Sequence, residues 1–317
     1  MLLPVNEAAP TARSVAASNG LDGLRQLTAT IAALETSRTK LITELRRGPA
    51  ASWAEIGAAC GMTRQGAARR WSRLAHASSF GAAADSYRRG RPGYPRSVVE
   101  WLVPRQAKTV LDLGAGTGKL TRALADAGLT VTAVEPSRGM RGQLAAAVPG
   151  ARVLAGSAEK IPLPSASVDA VVVGHAWHWF DPARAVPEVA RVLVPGGTLA
   201  LAWNDRDESE PWMATLGAIM HRQAAQVIDT SPEIGPPFGP PERMETRWRQ
   251  PASRQEILDM VASRSYVISM PAGEREQLLG EVAELLDEHP DLRGRDEIDL
   301  PYVSRCTLVR LAGPHGA

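Results

Sequence analysis

The stretch Thr109-Val-Leu-Asp-Leu-Gly-Ala-Gly-Thr-Gly-Lys119 limits what this chain can fold into more than any other. Val110, Leu111 and Leu113 form a short apolar run of the kind a buried parallel strand carries. The run holds one acid, Asp112, and ends in three alternate glycines, Gly114, Gly116 and Gly118. A helical pattern follows at once, with Leu120, Leu124 and Ala127 spaced to share a face. Strand, glycine turn, helix is the opening unit of a nucleotide-binding crossover. Glycine lets the backbone take positive φ there, and lets a ligand lie on bare main chain beside the free N–H groups of the helix start.

Spacing narrows the ligand. A dinucleotide turn reads G-x-G-x-x-G and faces a pyrophosphate. Here the glycines read G-x-G-x-G, with Asp112 two residues before the first. A carboxylate repels a pyrophosphate but can hold an ammonium group. The stretch resembles the first motif of the class I S-adenosylmethionine-dependent methyltransferases. That resemblance implies that Asp112, Gly114, Ala115, Gly116 and Gly118 frame the methionine part of S-adenosyl-L-methionine. A turn that holds nothing and a nicotinamide-nucleotide site are the alternatives at this point.

The next strands extend the likeness. Thr130-Val-Thr-Ala-Val134 ends at Glu135-Pro136, and the two oxygens of Glu135 can take two ribose hydroxyls. Both nucleotide readings share this acid. A third strand over Arg152–Ala155 leads to Gly156-Ser-Ala-Glu-Lys-Ile-Pro162. The resemblance places the adenine at this turn, with the contact divided among Ser157, Ala158 and Glu159, and it adds Pro136 and Met140 to the cofactor positions. The fourth strand, Val168–Val173, runs into Gly174-His-Ala-Trp-His-Trp-Phe-Asp181, where Asp181-Pro182 opens a helix. Ligands lie at the carboxyl edge of a parallel sheet, so His175, Trp177, His178 and Trp179 fall in the reaction zone. The run is similar to the His-Trp-Phe-Asp feature of the trans-aconitate methyltransferase-like group. His175 and His178 are candidate bases, because imidazole titrates near neutrality, and structural residues are the alternative. His175 is also a candidate cofactor contact. Arg191-Val-Leu-Val-Pro-Gly-Gly197 then turns into a fifth strand, Thr198–Trp203, and this ordered set over 110–203 carries the resemblance. No Asn/Asp-Pro-Pro-Tyr/Phe tetrapeptide follows the fourth strand, so methylation of nucleic-acid bases lacks support.

Upstream, Tyr87 and Arg91-Pro-Gly-Tyr-Pro95 resemble the segment that lies over the cofactor in the same group. Tyr87, Arg91 and Tyr94 are therefore substrate-side candidates, and Arg91 can pair with a carboxylate. A Pro-rich linker with its aromatics on the core is the alternative. The expected organisation downstream is a mainly helical lid insert over about 206–296. It holds a Pro-rich loop at Ser231–Pro241, a capping box at Ser253-Arg-Gln-Glu256 and an amphipathic helix over Glu274–Glu288. A last, antiparallel strand is expected over Tyr302–Leu311.

Residues 1–20 are rich in Ala, Ser, Thr and Pro and read as disordered. Leu24, Leu27, Ile31, Leu34, Leu41 and Leu45 then recur at helical spacing over Leu21–Arg47. The stripe is expected to pack within a small domain rather than to pair two chains. Ser52-Trp-Ala-Glu55 is a capping box, Gly61 fits a left-handed helix end, and Thr63 can start a second helix over Arg64–Leu74. Residues 52–74 resemble small helix-turn-helix modules, which implies Arg64 and Gln65 at base edges and Arg69, Arg70 and Arg73 on phosphates. Gly57 departs from the usual Ala there and weakens a helix by about 1 kcal/mol. Residues 1–78 hold ten Arg/Lys against five Asp/Glu, in a chain whose net charge is +2. The alternative to DNA binding is a helical prefix that keeps the shape without the activity.

Taken together, the chain reads as α/β. A small all-α helix-turn-helix-like domain over 1–78 precedes a doubly wound, seven-stranded, Rossmann-like methyltransferase sheet over 79–317. The expected function is in-line methyl transfer to a small-molecule substrate; the competing reading is a DNA-binding regulator that senses a metabolite. Cys60 and Cys306 give neither a disulfide framework nor a zinc spacing, so no metal is expected. With no long apolar run and no cleavage-site pattern, the expectation is a cytoplasmic protein without a membrane contact. The methyl acceptor and the number of copies are left open.

Overall fold

The computed structural model describes residues 21–46, 51–64, 92–221, 232, 234–268 and 270–313. The chain divides into two compact units, Met1–Ser78 and Ser79–Ala317.

In the first unit, α1 (Leu21–Arg46) is followed by α2 (Trp53–Ala59). The capping box is formed: the Ser52 N–H donates to Glu55 Oε2 at 2.7 Å, and the Glu55 N–H donates to Ser52 Oγ at 3.3 Å. Gly61 takes the left-handed position at φ +67°. Gly57 has a physical reason. A Cβ there would lie 2.9 Å from the Met62 carbonyl oxygen and 3.0 Å from that of Thr63. The turn folds back so closely that only glycine fits. The packed stripe is a correction. Leu24, Leu27, Ile31, Leu34 and Leu41 are exposed, and the unit's core is instead Ile42 against Ile56, with Ala51, Cys60 and Met62 beside them. Among the described residues, the seven-residue α2 and its turn meet the 26-residue α1 at Ile42, near its C-terminal end. Arg64 is exposed; Gln65, Arg69, Arg70 and Arg73, with the rest of the expected second helix, lie outside the described residues.

The second unit is built on one sheet in the order β3-β2-β1-β4-β5-β7-β6. The strands are β1 (Thr109–Leu113), β2 (Thr130–Val134), β3 (Arg152–Leu154), β4 (Val168–Gly174), β5 (Leu193–Arg206), β6 (Glu242–Ser253) and β7 (Glu297–Arg310). β1 to β5 run parallel; β7 is antiparallel to β5, and β6 is antiparallel to β7. The strand order reverses between β1 and β4, which opens a crevice at their carboxyl ends.

Alternation along the strands loads both faces. Leu111, Val171, Val173, Leu199 and Leu201 meet Ala185, Val189 and Val192 of α6 (Pro182–Val192). On the other face Val110, Ala170, Val172 and Ala200 meet α3 (Arg96–Leu102) and α4 (Lys119–Asp126) through Val98, Val99, Leu102, Leu120 and Leu124. Ala127 was expected on that inward face, but α4 stops at Asp126 and leaves it exposed; Thr121 is the buried polar residue instead. α5 (Arg138–Ala147) follows β2 and buries Met140 and Leu144.

The mainly helical insert is present and holds one strand that the sequence did not announce. Helices α7 (Pro211–His221), α8 (Arg254–Ala262), α9 (Ser265–Ile268) and α10 (Ala272–Glu288) share a core of Met213, Leu216, Ile257, Met260, Val282 and Leu286. Between them, however, the twelve-residue β6 forms the edge of the sheet. Its charges suit an edge, where one side of the strand has no neighbour. Arg305 of β7 ties it in, pairing with Glu245 at 3.2 Å and with Asp205 of β5 at 2.7 Å. β7 begins at Glu297, five residues before the expected Tyr302.

Candidate active site

Three left-handed glycines shape the turn after β1: Gly114 at φ +74°, Gly116 at +56° and Gly118 at +90°. Gly114 is also fixed by space, since a Cβ there would lie 2.7 Å from Ala176 Cβ and 3.1 Å from the Phe180 ring. The Gly114 and Ala115 N–H groups donate to the Val134 carbonyl at 2.8 and 3.2 Å. Glu135 completes the grip. Its Oε2 accepts from the Gly116 N–H at 3.0 Å and its Oε1 from the Ser137 N–H at 2.8 Å. Each oxygen keeps a second lone pair for another donor. Burial raises the Glu135 carboxyl, while those two N–H groups and Arg141 pull it back. The Arg141 guanidinium also holds the Glu135 and Pro136 carbonyls at 2.8 and 2.7 Å.

Asp112 is 1 % exposed. Its Oδ2 accepts the Thr121 hydroxyl at 2.5 Å, and its Oδ1 has no hydrogen-bond partner among the described residues. Burial pushes this carboxyl up to about 7; Thr121 opposes the shift and the nearby Glu135 adds to it. A small cavity of about 40 Å³ opens here, lined by Asp112, Gly114, Gly116, Thr117, Tyr94 and His175 among others. It has room for an ammonium group. A wider hollow of about 620 Å³ runs along α4 and shares Tyr94, Thr117 and Lys119 with it. The small cavity is the chemical centre, because it holds the half-satisfied carboxylate at the strand crevice. Tyr94 closes its far side, and any side chain at Gly174 would strike the Tyr94 hydroxyl. Tyr87 and Arg91 lie outside the described residues.

His175 reaches the same cavity. It sits at φ +52°, and its Nε2 accepts the Asn204 backbone N–H at 2.7 Å. An Nε2 that accepts carries no proton, so the neutral ring bears its proton on Nδ1. The lone pair that a base needs is therefore already engaged. His178 lies in the 3-10 turn Trp177–Trp179, its ring centroid 4.7 Å from that of half-buried Trp179. Trp177 is corrected from the substrate mouth to the core: it is 4 % exposed and meets Phe180 edge to face at 5.7 Å.

The turn after β3 is closed by Ser157 and Lys160, whose backbones exchange bonds at 3.2 and 3.4 Å. Ala158 is buried beneath it. Glu159 Oε1 accepts the Asp181 N–H at 3.0 Å, so its carboxylate is tied to the start of α6. Sequence reasoning missed the brace behind this turn. Arg191 donates to the Leu163 and Ile161 carbonyls at 2.8 and 2.9 Å, while Glu188 takes the Ile161 N–H at 2.8 Å. The Arg191 guanidinium beside Glu188 holds its carboxyl down to about 2.

A second missed group centres on Asn204 of β5, which is buried. Its Nδ2 donates to the Gly93 carbonyl at 2.9 Å, and its Oδ1 accepts the Ser304 hydroxyl at 2.6 Å. Ser304 in turn accepts the Trp248 indole N–H at 2.8 Å, and Gln250 accepts the Gly93 N–H at 2.8 Å. Three strands thus fix the crossing segment that carries Tyr94. Among the described residues no cluster of three or more His, Cys, Asp and Glu is placed to hold a metal, and no helix is long and apolar enough to cross a membrane.

An acid closing β1, a glycine turn and a second acid closing β2, on a sheet of this order, are the marks of a class I methyltransferase. Residues 111–201 match the methyltransferase domain family. A Mycobacterium tuberculosis protein described as an uncharacterised methyltransferase is 50% identical over 236 residues, 74% of this chain and 96% of that one. A Schizosaccharomyces pombe protein described in the same way is 33% identical over 224 residues, 67% of this chain and 89% of that one. Among solved structures, a methyltransferase from Anaeromyxobacter dehalogenans superposes with a TM-score of 0.51 at 26% identity, covering 70% of this chain and 99% of that one. The chain belongs to the class I S-adenosylmethionine-dependent methyltransferase family.

Proposed function

We propose that this chain binds S-adenosylmethionine at the β1–β2 crevice and methylates a small molecule. The observation that carries the reading is Asp112, a buried carboxylate with one oxygen lacking a partner, facing a cavity the size of an ammonium group. An ion pair would supply what that oxygen lacks. Gly114, Gly116 and Gly118 would bare main-chain N–H groups to the amino-acid end, and Glu135 keeps a lone pair on each oxygen for ribose hydroxyls. Ala158, with Ser157 and Glu159 at its sides, would form the adenine shelf. Met140 and Pro136 would wall the sugar.

When bound, the cofactor supplies an electrophilic methyl group on a sulfonium that needs no further activation. The protein's share is then placement and the exclusion of water. Tyr94 lines the cavity, the Asn204 group holds Tyr94's segment in place, and His175 stands at the carboxyl end of β4. A small acceptor is favoured over a nucleic-acid base by the absence of a base-methylating tetrapeptide after β4.

Calorimetry on the full chain with S-adenosylmethionine and with its demethylated product tests the binding. Incubation with methyl-labelled cofactor and a metabolite extract tests the transfer. Heat with both compounds and label in a small molecule are expected. Silence with both, together with heat from a nicotinamide nucleotide, would overturn the reading. The tight turn at Gly57–Gly61 keeps a DNA-binding regulator as the second reading. Specific DNA retention with no labelled acceptor in any extract would favour it.

A further inference from the structure

The stripe on α1 plays no part in the site described above. Leu24, Leu27, Ile31, Leu34, Arg38 and Leu41 alternate in steps of three and four. This is a seven-residue repeat with its core places apolar except at Arg38. A helix that beds on a globular core shows a wider face; a strict narrow seam is the pattern of helices that pair with one another. Leu27, Ile31, Leu34 and Leu41 are 40%, 52%, 60% and 57% exposed. The helix meets its own unit on a different flank, where Ile42 is 4% exposed against Ile56 at 3%. Arg38 and Leu45, both half-buried, lie between the exposed residues and that contact.

We propose that α1 pairs with α1 of a second copy of this chain along Leu27, Ile31, Leu34 and Leu41. A copy fits because the seam is its own complement. In a two-fold pair each helix offers the same residues and receives them, so the contact closes at two. β-branched Ile31 between leucines favours a two-stranded arrangement, and a single charged core residue, Arg38, sets the register at some loss of stability. Thr28, Thr30 and Ser37 beside the seam are uncharged, and Glu35 and Glu44 are the acids that flank it. The helix is about 39 Å long. Two such seams face to face would remove on the order of 1,000 Å² of surface, the size at which specific interfaces begin.

Sedimentation of the full chain tests this, against the double variant Ile31→Glu/Leu34→Glu and the outer-face control Gln26→Glu. The wild type and the control should be dimers at tens of micromolar, and the double variant a monomer with unchanged methyltransferase-unit melting. Amide exchange on the wild type is the second readout, because the double variant could lose the helix itself. Protection over residues 24–41 should rise at least tenfold as concentration crosses the dimerisation range, with residues 109–134 unchanged. A wild-type monomer, a dimer that survives the double substitution, or exchange independent of concentration would each overturn the proposal. Both readouts concern α1 alone, so they stand or fall apart from the methyltransferase reading.

Discussion

In Asp112→Asn the buried carboxyl becomes an amide of nearly the same shape, which separates what the carboxylate costs from what it does. The folded protein holds the Asp112 proton up to about pH 7, whereas an unfolded aspartate releases it near 4. The folded form therefore binds that proton more tightly. The Asp112 contribution to wild-type stability is full below the unfolded value, falls as pH climbs through the interval and is gone above about 7. Three pH units correspond to about 4 kcal/mol in all, and about 3 kcal/mol of it falls between pH 5 and pH 8. Asparagine has no such slope. Its amide brings donors that the site leaves unmatched, at about 1–3 kcal/mol independent of pH. The absolute difference between the two proteins depends on that offset, but its change with pH does not. Relative to the wild type, the variant should gain about 3 kcal/mol from pH 5 to pH 8. Ligand binding should move the opposite way. Removing one partner of a buried charge pair costs about 2–5 kcal/mol, so affinity for the demethylated cofactor should fall by about thirtyfold or more at pH 8. Wild-type affinity should itself fall about tenfold per unit below pH 7, because the ammonium needs the ionised form. Urea melts at pH 5, 6, 7 and 8, with and without the demethylated cofactor, read both effects. A stability difference flat in pH would refute the burial argument, and equal stabilisation of both proteins by the ligand would refute the ion pair.

Two further substitutions test the frame around that carboxylate. Gly114→Ala puts a methyl group at φ +74° and 2.7 Å from Ala176, so urea melts should show a loss of about 2–4 kcal/mol; unchanged stability would mean the turn has slack. Ser304→Ala takes a partner from both Asn204 Oδ1 and the Trp248 indole, at about 1–3 kcal/mol for each group left bare. Amide exchange at Gly93 should rise at least tenfold with it, and a change confined to β6 and β7 would show that the crossing segment is held by other means.

Much of this architecture is legible in one dimension because parallel strands buried on both faces read as apolar runs between turns. Val110–Leu113, Thr130–Val134 and Val168–Val173 announce themselves that way, and the acids at their ends fall where ligands gather. β6 does not. Its run Glu-Arg-Met-Glu-Thr-Arg-Trp-Arg meets a single neighbouring strand and alternates between exposed and half-buried positions, so it lacks the apolar face that marks a strand. The Asn204 group is hidden for another reason. Its bonds join residues 29, 100 and 111 positions apart, and such separations leave no periodicity to find. Thr121 was within reach, because a hydroxyl one turn into the helix after a glycine loop can face back to the acid before it. For α1 the spacing tells which residues share a face, and only the exposure of that face in the folded unit separates pairing from packing on its own core.

His175 shows most clearly where composition ends and geometry begins. Two histidines after β4 make a proton acceptor a fair expectation, since no other side chain titrates so near neutrality unaided. Whether a ring can accept depends on where its lone pair points, and here it points at the Asn204 N–H. Protonating Nε2 would break that bond and set a cation beside the main-chain donor it now accepts from. The acid of the site is set to hold a cation. When a sulfonium gives up its methyl group the thioether departs without a proton, whereas an O–H or N–H acceptor must release its own to a base or to water, so what is asked of the protein is alignment together with a path for that proton.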